Sequence, residues 1–189
     1  MRRVPRIDPG ALTGAEAELY AHYATGARAE PGADFRLLDD EAQLLGPPST
    51  WMVNAPLGLG LERLGREIRY HLTLPSRSRE IVILRVAEAE DSAFERYAHR
   101  LAGLRAGLTT DEIAELASGR FVARDASEAV LVDLVDALLL DHELSDELWT
   151  RATGVLGAAA VFEVVTLVGW YRMMALQLRA FQVIPPEKH

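Results

Sequence analysis

Apolar residues recur at intervals of three and four along most of this chain, which is the period of an amphipathic helix. No run alternates apolar and polar residues between turn signals, as a half-buried strand would. The pattern therefore predicts an all-α protein, a single-domain helical bundle over residues 1–189. The predicted helices, with Gly, Pro, Ser, Thr and Asp at their boundaries, are 13–27, 35–45, 57–72, from Ser76 to the turn at Asp91, 92–106, 110–118, 125–141, 145–152 and 154–181.

Local signals mark the helix ends. Thr13 followed by Glu16 predicts a capping box, Ser145 predicts an N-cap, and Gly107 predicts a helix end. Residues 46–56, with the sequence GPPSTWMVNAP, are predicted to form an irregular connection. No internal repeat or low-complexity segment interrupts this organisation.

Residues 154–181 are apolar for long enough to cross a bilayer. Glu163, Arg172 and Gln177 interrupt this segment, and central charges are costly in lipid. We therefore expect a buried helix or a subunit interface, no membrane span, and a cytoplasmic protein. The amino terminus has no apolar segment of the kind that a secretory signal contains.

The composition and net charge exclude several classes of function. The net charge is −8 and the isoelectric point is near 5.2, which argues against a nucleic-acid partner because phosphate contacts need clustered cations. The chain contains no cysteine, so thiolate nucleophiles, disulfides and cysteine-based metal sites are excluded.

Three ionisable residues stand among apolar ones in the central part of the chain: Glu80, Glu95 and His99. Glu95 and His99 lie one helical turn apart, and a helical hairpin turning near Asp91 can bring Glu80 to them. Two acids and an imidazole, whose ordinary pKa is about 6.5, suit general acid–base catalysis. The alternative is structural, since a Glu–His pair at this spacing occurs on many helices.

No arrangement predicts a metal site or a cofactor. Glu95 and His99 are spaced i,i+4, whereas carboxylate-bridged di-iron bundles use Glu-x-x-His at i,i+3.

The pattern E-x11-S-x2-E-x3-H, formed by Glu80, Ser92, Glu95 and His99, resembles that of the carboxymuconolactone decarboxylase and alkylhydroperoxidase D-like superfamily. The segments LPSRSREIVILRVA before it and HRLAGLRAGLTTDEI around its end share the resemblance, as do residues 130–149 and 164–183. The resemblance implies an alkylhydroperoxidase D-like bundle, with a core at 51–183 and an N-terminal helical extension at 1–50.

In the peroxidase branch of this superfamily, two cysteines form the redox centre, and Ser92 and Glu95 occupy their positions here. Thiol peroxidase activity is therefore excluded. The decarboxylase branch also lacks the pair, and the resemblance implies a cofactor-free lyase. His99 would carry the proton, Glu95 would orient it or act as a partner acid, and Glu80 would complete a relay.

Substrate contacts are predicted at five further positions. Arg85, a charge within an apolar helix, is a candidate carboxylate clamp, or alternatively forms an ion pair with a core carboxylate. Ser92, Tyr97, Trp51 and Asn54 are candidate pocket residues, although aromatic residues at helical spacing more often belong to a core.

We thus expect a cofactor-independent acid–base enzyme of decarboxylase, isomerase or dehydratase type, acting on a small cyclic, carboxylated or carbonyl-containing metabolite. The alternative is a non-catalytic oligomeric protein that binds a small ligand. The resemblance also implies a homo-oligomer, either a trimer or a hexamer.

Overall fold

The structure is a computed structural model, and it describes residues 3–25, 37–140 and 143–186. Its contacts group the chain into two compact units, Leu72–Ala175 and a second unit made of Met1–His71 with Leu176–His189. The predicted division at residue 50 does not coincide with this grouping, and the number of domains stays a prediction.

The prediction of an all-α fold is confirmed. Within the described ranges there is no β-strand, and the only bridge of that type joins Leu38 and Leu44. A short 3₁₀ turn spans Met52–Asn54. The described α-helices are α1 (Gly14–Ala24), α2 (Pro47–Trp51), α3 (Ala55–Tyr70), α4 (Ser76–Ala89), α5 (Ala93–Arg105), α6 (Thr110–Ser118), α7 (Ala126–Leu140), α8 (Asp146–Leu156) and α9 (Ala158–Phe181).

In the unit formed by Met1–His71 and Leu176–His189, α1 packs against α3 at Gly58. A Cβ atom at Gly58 would lie 2.7 Å from Leu19 Cδ2 and 2.9 Å from the Trp51 carbonyl oxygen, so the close approach requires glycine. Trp51 also meets Tyr23 edge to face and donates its indole N–H to Gln177 Oε1 at 3.0 Å.

The predicted helix at 35–45 is wrong over its described part, residues 37–45. These residues form a turn in which the Leu45 amide donates to the Leu37 carbonyl, and Ala42 has a positive φ of 56°. The Asp39 carboxylate accepts hydrogen bonds from the backbone amides of Glu41 and Gln43. Local side-chain bonds of this kind favour turns over helices.

The prediction of an irregular connection at 46–56 is also wrong, because α2 and the 3₁₀ turn occupy it. Pro47 and Pro48 lie in the first helical positions, where no intrahelical partner for an N–H is needed. Thr13 is the N-cap of α1 but makes no side-chain capping bond, so the predicted capping box is absent there. A capping box is present at α6, between Thr109 and Glu112.

The unit Leu72–Ala175 is organised around α4, which packs against α5, α6 and α7. Its central residues are buried on almost every side, as the apolar segment predicts. They are Ile81, Val82, Ile83, Leu84, Val86 and Ala87. A helix covered on so many sides holds its few polar residues in a water-poor environment.

The predicted boundary between the last two helices is shifted. α8 continues to Leu156, and Gly157, with φ of 86°, separates it from α9. α9 is long and apolar enough to cross a membrane, and 44% of its most apolar window is buried within the structure. The core helix of a soluble protein meets the same criterion, so one such helix is weak evidence for a membrane span.

Candidate acid–base site

The site begins at the turn that joins α4 to α5. Asp91 takes a left-handed conformation with φ of 47°, which Asp tolerates better than most residues. The Ser92 amide donates to the Ala87 carbonyl at 2.8 Å, and the Asp91 amide donates to the Glu88 carbonyl at 3.0 Å. These two bonds form a Schellman motif, which reverses the chain and lays α5 against α4.

This reversal brings Glu80, Glu95 and His99 together, as the predicted helical hairpin requires. His99 Nδ1 lies 2.8 Å from Glu80 Oε2, and His99 Nε2 lies 3.5 Å from Glu95 Oε2. Exposure is 6% for His99 and 4% for each glutamate. The imidazole therefore has a carboxyl group beside each ring nitrogen, in surroundings that exclude most water.

The short contact at Nδ1 is a hydrogen bond, and it constrains the imidazole. When Glu80 is ionised, its oxygen accepts the Nδ1 proton, so that in a neutral ring Nε2 carries the lone pair. At 3.5 Å, the Nε2 contact is longer than a normal hydrogen bond. Nε2 is thus the ring atom suited to exchange a proton with another molecule.

Tyr171 is a residue of this site that the sequence did not predict. Its ring, on α9, meets the His99 ring at a centroid distance of 5.1 Å and an interplanar angle of 90°. Tyr171 is itself buried, so it helps to set the plane of the imidazole by packing. Tyr171 is separated from His99 by most of the unit's sequence, and no local spacing signals the contact.

Arg79 adds a cation to the cluster. Its Nε atom lies 3.6 Å from Glu80 Oε1, and its side chain is partly buried. The order Arg79, Glu80, His99, Glu95 thus alternates basic and acidic groups. Arg79 gives an ionised Glu80 a neighbour of opposite charge, which limits the desolvation penalty of that buried carboxylate.

Arg85 makes structural contacts. Its Nε donates to Asp136 Oδ1 at 3.0 Å, Nη2 donates to the same oxygen, and Nη1 donates to the Leu116 carbonyl at 3.0 Å. These contacts favour the ion-pair alternative, and a role for Arg85 in binding substrate stays a prediction.

A second arginine cluster secures the start of α4. Arg77 donates to Glu112 Oε1 at 2.8 Å, to Glu128 Oε1 at 2.6 Å and to the Gly107 carbonyl at 2.7 Å. The Arg77 hydrogen bonds lower the pKa of Glu112 from 4.5 to about 2, against the opposing effect of burial. Burial disfavours the charge of Arg77, but bonds to both carboxylates outweigh it and raise the Arg77 pKa. The cluster connects α4, α6 and α7 one helical turn before Glu80.

The other predicted contact residues have these placements. Ser92 is the buried N-cap residue of α5, and Tyr97 meets Phe94 edge to face within the same helix. Trp51 and Asn54 belong to the other compact unit, where Trp51 is buried and the Asn54 side chain caps α3. A role for these four residues in binding substrate stays a prediction.

Among the described residues, no group of three or more His, Asp or Glu side chains is arranged to hold a metal ion. Another Glu–His pair, Glu67 and His71, has a 2.7 Å contact at the end of α3, but both side chains are exposed. This pair has the same i,i+4 spacing as Glu95 and His99 but is not buried, so it offers a reference for experiments.

Comparison with known proteins agrees with the resemblance inferred from the sequence. Residues 57–136 match the family model described as the carboxymuconolactone decarboxylase family, and this segment includes Glu80, Glu95 and His99. No curated protein and no solved structure matches the chain significantly. The absence of cysteine agrees with a member that lacks the redox pair. Residues 57–136 of this all-α chain are thus similar to the carboxymuconolactone decarboxylase family.

Proposed function

We propose that this protein is a cofactor-independent general acid–base enzyme, of decarboxylase, isomerase or dehydratase type. Its substrate would be a small cyclic metabolite that carries a carbonyl or carboxyl group. The observation that carries the proposal is the buried imidazole of His99 with a carboxyl group at each nitrogen, Glu80 at 2.8 Å and Glu95 at 3.5 Å. Similarity to the family supports a lyase relationship.

The three side chains have distinct roles in this proposal. Glu80 accepts a hydrogen bond from the Nδ1–H of His99 and orients the ring, so His99 Nε2 takes up or delivers the proton that moves on the substrate. Glu95, beside Nε2, acts as the partner acid or base. Exclusion of water strengthens these interactions, because charges interact more strongly at low dielectric.

The test compares His99→Gln and Glu95→Gln with His71→Gln, which alters the exposed Glu67–His71 pair. Turnover would be followed on a panel of unsaturated lactones, cyclic ketones and their carboxylic acids, with folding checked by circular dichroism. We expect the two site variants to lose at least about 100-fold in activity, the usual contribution of a general acid or base. The His71 variant should retain full activity. Full activity in the His99 variant would refute the proposal.

The alternative function is a non-catalytic oligomeric protein that binds a small ligand, with Glu80, Glu95 and His99 as a structural cluster. Burial of all three side chains favours this reading, because removal of one member leaves another unpaired. The alternative would be supported if His99→Gln unfolds the protein at ambient temperature and no compound in the panel is turned over by the native chain.

We also propose that the protein is a cytoplasmic homo-oligomer, a trimer or hexamer, without nucleic-acid or membrane partners. An exposed apolar stripe on α9 supports an interface: Phe162 is 72% exposed and Val165 is 42% exposed. Gly169, also exposed, continues the stripe one turn on. The measurement is molar mass by light scattering, with Phe162→Glu expected to give a smaller species. A monomeric native protein would refute this part of the proposal.

A further inference from the structure

The charges of the site limit which substrates it can accept. Glu80 and Glu95 are two buried carboxyl groups beside one imidazole, and Arg79 is the cation next to Glu80. When both carboxyl groups are ionised, the cluster has a net charge of −1 with a neutral His99, and of zero with a protonated His99. A substrate carboxylate would add a further negative charge in surroundings that already hold two acids, and unneutralised buried charges are costly.

Three other arginines near these helices are bound to acceptors of the protein. Arg85, the candidate clamp, has its donors directed at Asp136 and the Leu116 carbonyl. Arg77 is held by two carboxylates and a carbonyl in the cluster at the start of α4. Arg172, which follows Tyr171 on α9, donates its Nε to Glu90 Oε1 at 2.8 Å. A carboxylated substrate that bound to one of these three arginines would have to compete with a protein carboxylate.

We infer that the substrate is an uncharged carbonyl compound with an acidic C–H bond next to the carbonyl, and that carboxylates are disfavoured. This inference rests on the proposed function, and it selects among the reactions named there. Decarboxylation is set aside, because its substrate must carry the carboxylate that leaves as carbon dioxide. Isomerisation and dehydration need only an uncharged carbonyl compound.

His99 Nε2 removes a proton from the carbon next to the carbonyl, and the electron pair of that C–H bond moves into the carbonyl to form an enolate. In isomerisation, the same proton returns to another carbon of the conjugated system. In dehydration, the enolate expels a β-hydroxyl group, which takes the proton from His99 and leaves as water. Both reactions restore neutral His99 without any further reactant.

The experiment uses two probes of similar size that differ in charge, 3-oxocyclopentane-1-carboxylic acid and its methyl ester. Exchange of the ring protons beside the ketone would be followed in deuterated buffer near neutral pD by proton NMR, with the full chain and with His71→Gln as the control variant. We expect protein-dependent exchange of the ester with a kcat/KM at least about tenfold above that of the acid, as a repulsive buried charge implies. Glu95→Gln removes one negative charge and should narrow the difference in binding affinity between the two probes.

Two results would overturn the inference. One is protein-dependent exchange of the acid at a rate equal to or above that of the ester, and the other is no protein-dependent exchange of either probe. Failure of the proposed function is a separate result. If His99→Gln exchanges the ester at the native rate, then the acid–base role of His99 falls, whatever the charge preference. If exchange depends on His99 but favours the acid, then the acid–base proposal stands and the inference about substrate charge is wrong.

Discussion

Replacement of Glu112 by Gln tests whether the arginine cluster stabilises the unit that carries the site. Glu112 is largely buried and accepts hydrogen bonds from Arg77 at 2.8 Å, from Arg124 at 3.0 Å and from the Thr109 amide at 2.7 Å. Glutamine keeps the size of the side chain and one carbonyl oxygen but removes the negative charge. Two arginines then lose a charged acceptor, which is worth more than a neutral one.

The magnitude follows from the pKa of Glu112, which falls from 4.5 to about 2 in the folded protein. Each pKa unit corresponds to about 1.4 kcal/mol, so the charge contributes at most about 3 kcal/mol to the free energy of unfolding at pH 7. Because the folded pKa is lowered, this contribution is complete above pH 4.5 and is lost as the pH falls towards 2. At pH 3 only about 1 kcal/mol remains.

The assay is urea unfolding followed by tryptophan fluorescence at pH 7 and pH 3. We expect Glu112→Gln to lower the free energy of unfolding by about 2–3 kcal/mol at pH 7 and by about 1 kcal/mol at pH 3. Asp111→Asn, an exposed residue in the same helical turn, is the control and should cost less than about 1 kcal/mol. A cost for Glu112→Gln that is the same at both pH values would refute the reasoning.

Three further predictions concern packing and backbone conformation. Gly58→Ala should destabilise the protein by about 1–3 kcal/mol in urea unfolding, because the added Cβ would overlap Leu19 and Trp51. Gly60→Ala, whose added Cβ would have no heavy atom within 4 Å, should stabilise the protein by about 0.5–1 kcal/mol, and equal effects of the two substitutions would contradict this prediction. Tyr171→Leu should let the His99 ring reorient, which would change the NMR chemical shifts of its two imidazole nitrogens. Tyr171→Phe should keep the native shifts. Unchanged shifts in the leucine variant would rule out a positioning role for Tyr171. Asp91→Val should lower the stability in thermal unfolding by about 1–2 kcal/mol, because a β-branched residue fits the left-handed conformation poorly. Asp91→Gly should cause no measurable loss of stability. Similar melting temperatures for the two variants would show that the turn is not strained.

Local patterns in the sequence predicted most of the helices, because helical periodicity is a property of neighbouring residues. α4 is an example, since its apolar centre predicted a buried helix and the structure covers it on nearly every side. The errors occur where local signals conflict. Pro47 and Pro48 resemble a break in the chain, yet they begin α2, because proline is tolerated in the first helical turn.

The candidate site also contains some contacts that the sequence predicted and others that it did not. The contact between Glu95 and His99 follows from one helical turn, and the contact with Glu80 follows from a short hairpin. Contacts between distant segments had no such signal. The sequence left two alternatives open for Arg85, and packing directs its guanidinium to Asp136 on α7. Tyr171 reaches His99 only because α9 packs in this unit.

The sequence by itself determined the all-α class, the absence of thiol chemistry and the similarity of residues 57–136 to the family, because each depends on residue types or local spacing. Only the tertiary structure decided how deeply Glu80 and His99 are buried, which arginine acquires which carboxylate, and which aromatic ring meets the imidazole. The physical reason is that burial and long-range pairing depend on the relative placement of whole helices. That placement results from the sum of many weak packing contacts, none of which is encoded at a single position.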